Sequence, residues 1–421
     1  MLAKKSLHIL DITSVSVDPV IYNLTAINRG RLDPYFVEFI EPFLNDIGID
    51  VKILPFDKID KNRKWFINVD INSWQWAPYN GDAFSSFGTD ILHELQYGKA
   101  YLILNHQCES WTESTYRELY KKLTEYPSVP FNKIIYMVGA ADAKQEYEKF
   151  VNKYSITKEN RIRVMYTHHV YKRFEKDCDL RFFDFDRNVK KEKKFLSLNR
   201  RWRDHRLMFV SCLAYNDLIK HGYVSLGVDK SEIDSAQNQL DNFFRSRLDV
   251  YNIKQGFASI KNQLPLKTDD IDLTINQFQL TALPIEFYQK SCFSIVSSTM
   301  AFNDHENSVG FTEKEVKPIL AKHPFIIHNM PGVLKHMKAM GFLTFEPWFD
   351  ESYDTEINDL KRLKMIVDEV KRLSEISFED WEKMLEEMQP ILDHNYNRMV
   401  KYTNEHCFYN SDLKELLYYV D

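Results

Sequence analysis

The chain has 421 residues, of which 44% are apolar and 28% charged, and its formal net charge is −6. That length exceeds what one ordinary core fills and predicts two domains. The negative balance excludes a global attraction to nucleic acid or to an anionic membrane, leaving local basic patches for any such partner. Only 12 glycines occur, so glycine-rich phosphate loops are not a recurring device. Five cysteines, at 108, 178, 212, 292 and 407, form no CxxC pair, and neither a zinc site nor a disulfide framework is expected. Cys212 and Cys292 lie among apolar residues and read as buried thiols. The opening MLAKKSLHILDITS lacks the apolar length of a signal peptide. No stretch reaches the roughly 18 apolar residues that mark a membrane span. No membrane partner is expected, and a cytoplasmic, reducing location fits.

Short apolar runs alternate with helical periodicity from the start. Strands are predicted at 7–12, 49–56, 64–71, 100–105, 133–139 and 161–167. Helices are predicted at 34–48, closed by Gly48, at 89–97, at 112–126 with Thr112 as N-cap, and at 140–154. Strands separated by helices of ten to fifteen residues imply a parallel α/β sheet, so 1–175 forms a Rossmann-like domain. The charged, irregular segment 176–194 reads as a linker. The theme then repeats over 195–375. A strand at 195–198 leads to a helix at 203–220 that Gly222 closes, and a strand at 223–226 follows. After a polar stretch at 228–275 come a strand at 293–299, a short helix at 312–321 and a strand at 324–329. A helix from Pro331 at N1 to Gly341 precedes a strand at 343–348. Helices at 356–374 and 377–400, the second broken at Pro390, finish the chain, with 376–421 as a helical tail. The fold class is α/β, two Rossmann-like domains with C-terminal helices.

Ligands of such sheets bind beyond the carboxyl ends of strands, and the sequence places its conspicuous residues there. FLSLNRRWRDHRLMFVSCL (195–213) ends an apolar run, delivers four arginines, and starts a helix whose Leu207, Val210, Leu213, Ala214 and Leu218 share one face. Arg203 and Arg206 fall in its first turn, where the helix dipole disfavours cations. An anion bound at the free amides resolves that conflict; a solvated basic edge, or salt bridges to the acidic residues of 176–186, is the plainer alternative. Asn199 sits at the turn. In GFTEKEVKPIL (310–320), Thr312 and Glu315 have capping-box spacing. Glu313 and Lys314 lie in that helix's first turn, just after the SST of 297–299. A carboxylate there suits a sugar's vicinal hydroxyls and a lysine suits a phosphate; an ordinary capped helix is the competing reading. Pro318 limits or kinks this helix.

The segments KFLSLNRRWRDHR, FYQKSCFSIVSST, FTEKEVKPILAKHPFI and GFLTFEPWFDESYD resemble the donor-binding region of fucosyltransferase-like and exostosin-like glycosyltransferases, including phage and bacterial proteins of that type. The resemblance spans about 195–375. It implies a GT-B architecture, two Rossmann-like domains facing a cleft, and a nucleotide-sugar donor, UDP- or GDP-linked. It implies donor phosphate on Arg203 or Arg206, and donor ribose and phosphate on Glu313 and Lys314. Where the family has an acidic FENS segment this chain reads VSST, so Ser297, Ser298 and Thr299 stand there, Ser298 being the candidate donor contact.

The N-terminal domain would then hold the acceptor and a base for its hydroxyl. Glu109 in LILNHQCESW is the first candidate, with His106 and Asp82 behind it. The aromatic-rich stretch 72–87 offers stacking faces for a sugar or base. THH at 167–169 and NDHEN at 303–307 lack HExxH, CxxC or DxD company, so no metal site is expected. The expected activity is metal-independent glycosyl transfer to an acceptor hydroxyl, on a glycan or on hydroxymethylated DNA as in phage-type enzymes, which would act in the host cytoplasm. A non-catalytic binding protein of the same fold is the alternative class. No oligomeric state follows from the pattern.

Overall fold

The computed structural model describes residues 6–10, 50–54, 56–70, 88–106, 113–125, 129–139, 143–166, 189–268, 284–299, 301–302, 309 and 312–405. The chain divides into two compact units, Met1–Lys172 with Glu405–Asp421, and Arg173–Asn404. Both are α/β, and among the described residues every strand pairing within the two sheets is parallel.

The first unit runs β1 (Ser6–Leu10), β2 (Asp50–Leu54), β3 (Trp65–Asp70), α1 (Thr89–Gln96), β4 (Ala100–His106), α2 (Glu113–Glu125), β5 (Ile134–Val138), α3 (Ala143–Lys153) and β6 (Arg163–Tyr166). The strand order is β2-β1-β3-β4-β5-β6. All five residues of β5 are buried, as a parallel strand covered on both faces requires. Tyr116, Tyr147 and Phe150 from α2 and α3 close one side of the core. The predicted helix at 34–48 and Thr112 lie outside the described residues.

The second unit runs β7 (Lys193–Ser197), α4 (Asp204–Tyr215), β8 (Gly222–Val224), α5 (Ile233–Phe243), α6 (Ile253–Ile260), α7 (Ile285–Gln289), β9 (Ser291–Ser297), α8 (Glu313–Leu320), β10 (Phe325–His328), α9 (Val333–Ala339), α10 (Asp359–Glu375) and α11 (Phe378–Glu405). Its strand order is β10-β9-β7-β8. From β7 the chain moves outward to β8; from β9 it moves the opposite way to β10. The topological switch therefore falls between β7 and β9, where open α/β sheets bind ligands.

Several predicted details differ. Helix α4 is not amphipathic: all residues from His205 to Leu213 are buried. It is enclosed by the sheet and by α6, whose Gly256 lies so close that a β-carbon would sit 1.9 Å from the Ser211 carbonyl oxygen. Its end comes earlier than 220, at Asn216, because Asp217 takes the left-handed backbone with φ 58°. Gly222 is instead extended and begins β8, its missing β-carbon making room for the Phe195 ring. The polar stretch 228–275 contains α5 and α6. Helix α9 starts two residues after Pro331, with Gly332 as its left-handed N-cap, while Gly341 does follow its end with φ 83°. The expected strand at 343–348 is a loop. Its backbone is satisfied by side chains: Leu343 N–H donates to Asn395 Oδ1 at 2.8 Å and Phe345 N–H to Glu351 Oε1 at 2.7 Å. Helix α11 continues through Pro390. Trp381 of α11, fully buried, stacks on Phe293 of β9 at 5.3 Å and so docks this helix on the second unit's sheet. No helix among the described residues is long and apolar enough to cross a membrane.

Candidate functional site at the β7–β9 switch

The parallel register sets Leu196 opposite Ser294 and Ser297 opposite His328. Counting along it brings Asn199 level with Ser297, at the carboxyl end of the sheet. Asn199, Ser297 and His328 are buried polar residues, and among the described residues Asn199 Oδ1, Ser297 Oγ and both His328 ring nitrogens have no hydrogen-bond partner. Asn199 donates through Nδ2 to Ser197 Oγ at 3.1 Å. It caps nothing: the N-cap of α4 is Arg203, and no side chain caps that helix. The first bond of this terminus runs from Leu207 N–H to Arg203 O at 2.8 Å, so the Asp204, His205 and Arg206 amides precede the helical ladder.

Arg203 is half-buried, and its side chain makes no ion pair or hydrogen bond among the described residues. Arg206 is 4% exposed. Its Nη2 donates to the Ser298 carbonyl at 2.7 Å and its Nη1 to the Arg201 carbonyl at 3.0 Å. His205 Nε2 donates to the same Ser298 carbonyl at 2.9 Å. Burial, then the adjacent Arg203, brings the Arg206 guanidinium down to about 10, opposed by Glu313 and Glu315. Burial, then Arg206, Arg203 and Lys314, pushes His205 down to about 3 despite its bond to Ser298.

Helix α8 supplies the other side. Lys314 Nζ lies 2.6 Å from Glu313 Oε1 and donates to Thr299 Oγ1 at 3.2 Å. Burial pushes the half-buried Glu313 carboxyl up, but Lys314 and Lys317 outweigh it and the net direction is down. The capping box is formed: Thr312 N–H and Oγ1 both donate to Glu315 Oε2, at 2.7 and 2.6 Å, and Lys314 N–H donates to Thr312 Oγ1 at 3.3 Å. Unlike α4, this terminus therefore has a side-chain cap. Ser298 is 1% exposed and donates its hydroxyl to Glu315 Oε1. The sequence-predicted Asn199, Arg203, Arg206, Ser298, Glu313 and Lys314 thus converge at the ends of β7 and β9. His205, Thr299, Glu315, Asn329 and His328 join them. Of these, Glu315 was visible in sequence only as a cap, and the histidines carried no signal that distinguished them from core residues.

No family model matches this chain, and no curated protein matches it. Among solved structures it is similar to two trehalose 6-phosphate synthases. One is from Burkholderia multivorans, with 11% identity, a TM-score of 0.44, and coverage of 94% of this chain and 80% of that one. The other, described as UDP-forming, is from Burkholderia vietnamiensis, with 11% identity, a TM-score of 0.42, and coverage of 85% and 76%.

In the first unit, Glu109 and Asp82, the aromatic stretch 72–87 and His168 with His169 lie outside the described residues. His106 ends β4, half-buried, with Nδ1 2.6 Å from the Tyr136 hydroxyl of neighbouring β5. Burial lowers the imidazole to about 4 and raises the tyrosine. His106 is therefore neutral at neutral pH and tied through one nitrogen. The second unit thus brings the Arg203 guanidinium, the Lys314–Glu313 ion pair and the uncapped start of α4 to the ends of β7 and β9.

Proposed function

We propose that the protein is a GT-B glycosyltransferase that takes a sugar from a nucleotide-sugar donor, UDP- or GDP-linked, and passes it to an acceptor hydroxyl. One observation carries this reading: uncapped α4 with Arg203 at its N-cap, and α8 with Lys314, meet at the topological switch of a parallel sheet. Such a switch is where open α/β sheets bind nucleotides, and the positive components there match a diphosphate. Arg203 and Lys314 hold the diphosphate and stabilise the charge that develops on the nucleotide as the glycosidic bond breaks. Arg206, spent on two carbonyls, backs this site rather than touching the anion. Glu313, beside Lys314, reads the ribose hydroxyls. The first unit carries the acceptor, with His106, Glu109 and Asp82 as candidates for its base. With side-chain cations and helix amides as counter-charge, transfer proceeds without a metal, and activity is retained in a chelator.

Calorimetric titration of UDP and GDP tests the donor site. Wild type binds one of them, and Lys314→Ala weakens that binding by about tenfold or more, as expected for loss of a charged hydrogen bond. Equal affinity in the variant removes Lys314 from the site.

A further inference from the structure

The capping role of Glu315 requires only one of its oxygens, yet both are fully engaged. Oε2 accepts from Thr312 N–H and Thr312 Oγ1. Oε1 accepts from Ser298 Oγ and from Asn329 Nδ2, the latter at 3.1 Å. Asn329 has its amide orientation fixed, because its Oδ1 accepts from Met330 N–H at 2.6 Å, which turns the NH2 toward Glu315. Four donors on two oxygens is the inventory of an ionised carboxylate, and this one is 0% exposed. Burying it is costly unless every lone pair is used, and a hydroxyl or amide cap would have served the helix alone.

What the extra oxygen does is visible in the chain of bonds it closes. The Thr312 hydroxyl that donates to Glu315 also accepts the backbone N–H of Lys314. Ser298, bonded to the other oxygen, is followed by Thr299, whose hydroxyl accepts from the Lys314 ammonium. Glu315 therefore holds the lysine at both ends, its backbone through Thr312 and its ammonium through the Ser298–Thr299 turn. That turn is fixed from behind by His205 and Arg206 on the Ser298 carbonyl, and further along by Arg362 of α10 on the Ala301 carbonyl.

We propose that Glu315 is a positioning residue that sets where the Lys314 ammonium stands relative to the end of β9, and so sets the geometry of anion binding. This rests on the donor reading of Lys314 given above. Glu315→Gln keeps size and shape but replaces one oxygen with a donor facing donors, which breaks one arm of the hub.

The test is a double-mutant cycle on UDP and GDP binding by calorimetry, with wild type, Lys314→Ala, Glu315→Gln and the double variant, folding being checked by circular dichroism. A positioning residue acts only through the group it positions, so the effects are non-additive. Glu315→Gln lowers affinity by about tenfold in the wild-type background and by less than about twofold once Lys314 is gone. A merely structural residue lowers affinity equally in both backgrounds; that additivity, or no effect at all, overturns the role while a loss in Lys314→Ala leaves the donor reading standing. Failure of wild type to bind either nucleotide overturns both. If Glu315→Gln does not fold, Ser298→Ala cuts the second arm alone and is held to the same non-additivity.

Discussion

Gly227 tests whether the segment presenting Arg203 is held as described. A β-carbon at this glycine would sit 1.8 Å from the Arg200 carbonyl oxygen and 2.8 Å from its carbon. The obstacle is backbone, so no side-chain rotation relieves it. The same glycine exchanges two hydrogen bonds with this segment: Gly227 N–H donates to Asn199 O at 2.9 Å, and Trp202 N–H to Gly227 O at 3.3 Å. Gly227→Ala must therefore push residues 199–202 away. Overpacking of this kind costs about 1–3 kcal/mol. Read locally, that speeds amide exchange in the segment by roughly 5- to 150-fold. Hydrogen-exchange mass spectrometry on peptides covering 196–206 and 222–230 measures it, and nucleotide affinity should fall with it as Arg203 is displaced. Gly88→Ala is the control, because a β-carbon there meets nothing within 4 Å. Unchanged exchange at 199–202 in Gly227→Ala would refute the close approach on which the placement of Arg203 depends.

Acid should weaken the second unit through its buried histidines. Burial, then Lys191, brings His323 down to about 3, and His205 falls as far. Folded, both stay neutral where the unfolded chain begins to protonate near the usual 6.5. The unfolded state thus binds more protons, so stability is full above that value and falls as pH drops toward 3, by about 1.4 kcal/mol per pH unit for each group. Urea midpoints that stay level from pH 7 to pH 5 would contradict this. Trp381→Ala removes a fully buried ring stacked on Phe293, and with it the indole donor to Leu373 O at 3.0 Å. It should cost about 3–5 kcal/mol in the second unit, seen as a lowered denaturant midpoint; a shift under about 1 kcal/mol would mean that α11 does not rely on this contact. If the acceptor is DNA, duplex binding must weaken steeply with salt; absence of binding at low salt leaves glycans and small sugars as acceptors.

The alternation of apolar runs and helical periods carried the architecture, because parallel strands buried on both faces leave uninterrupted apolar segments such as Ile134–Val138. It failed where side chains replaced sheet partners: LTFEPW has strand composition, but Asn395 and Glu351, distant in sequence or across a turn, take its backbone groups. It also missed that α4 is enclosed: Met208, Phe209 and Cys212, off the face of Leu207, Val210 and Leu213, are buried as well. At the site, charge at a helix start pointed to Arg203 and Lys314. Local pattern does not reveal that Arg206 turns inward to carbonyls, nor that Glu315 bonds across to Ser298 and Asn329. Those bonds depend on the β7–β9–β10 adjacency, which exists only in three dimensions.

The central claim is tested most directly by a crystal structure of the protein with UDP or GDP, whichever binds. The two phosphates should lie at the carboxyl ends of β7 and β9, contacted by the Arg203 guanidinium, the Lys314 ammonium and the first amides of α4. A diphosphate bound elsewhere, with Arg203 and Lys314 untouched, would contradict the account.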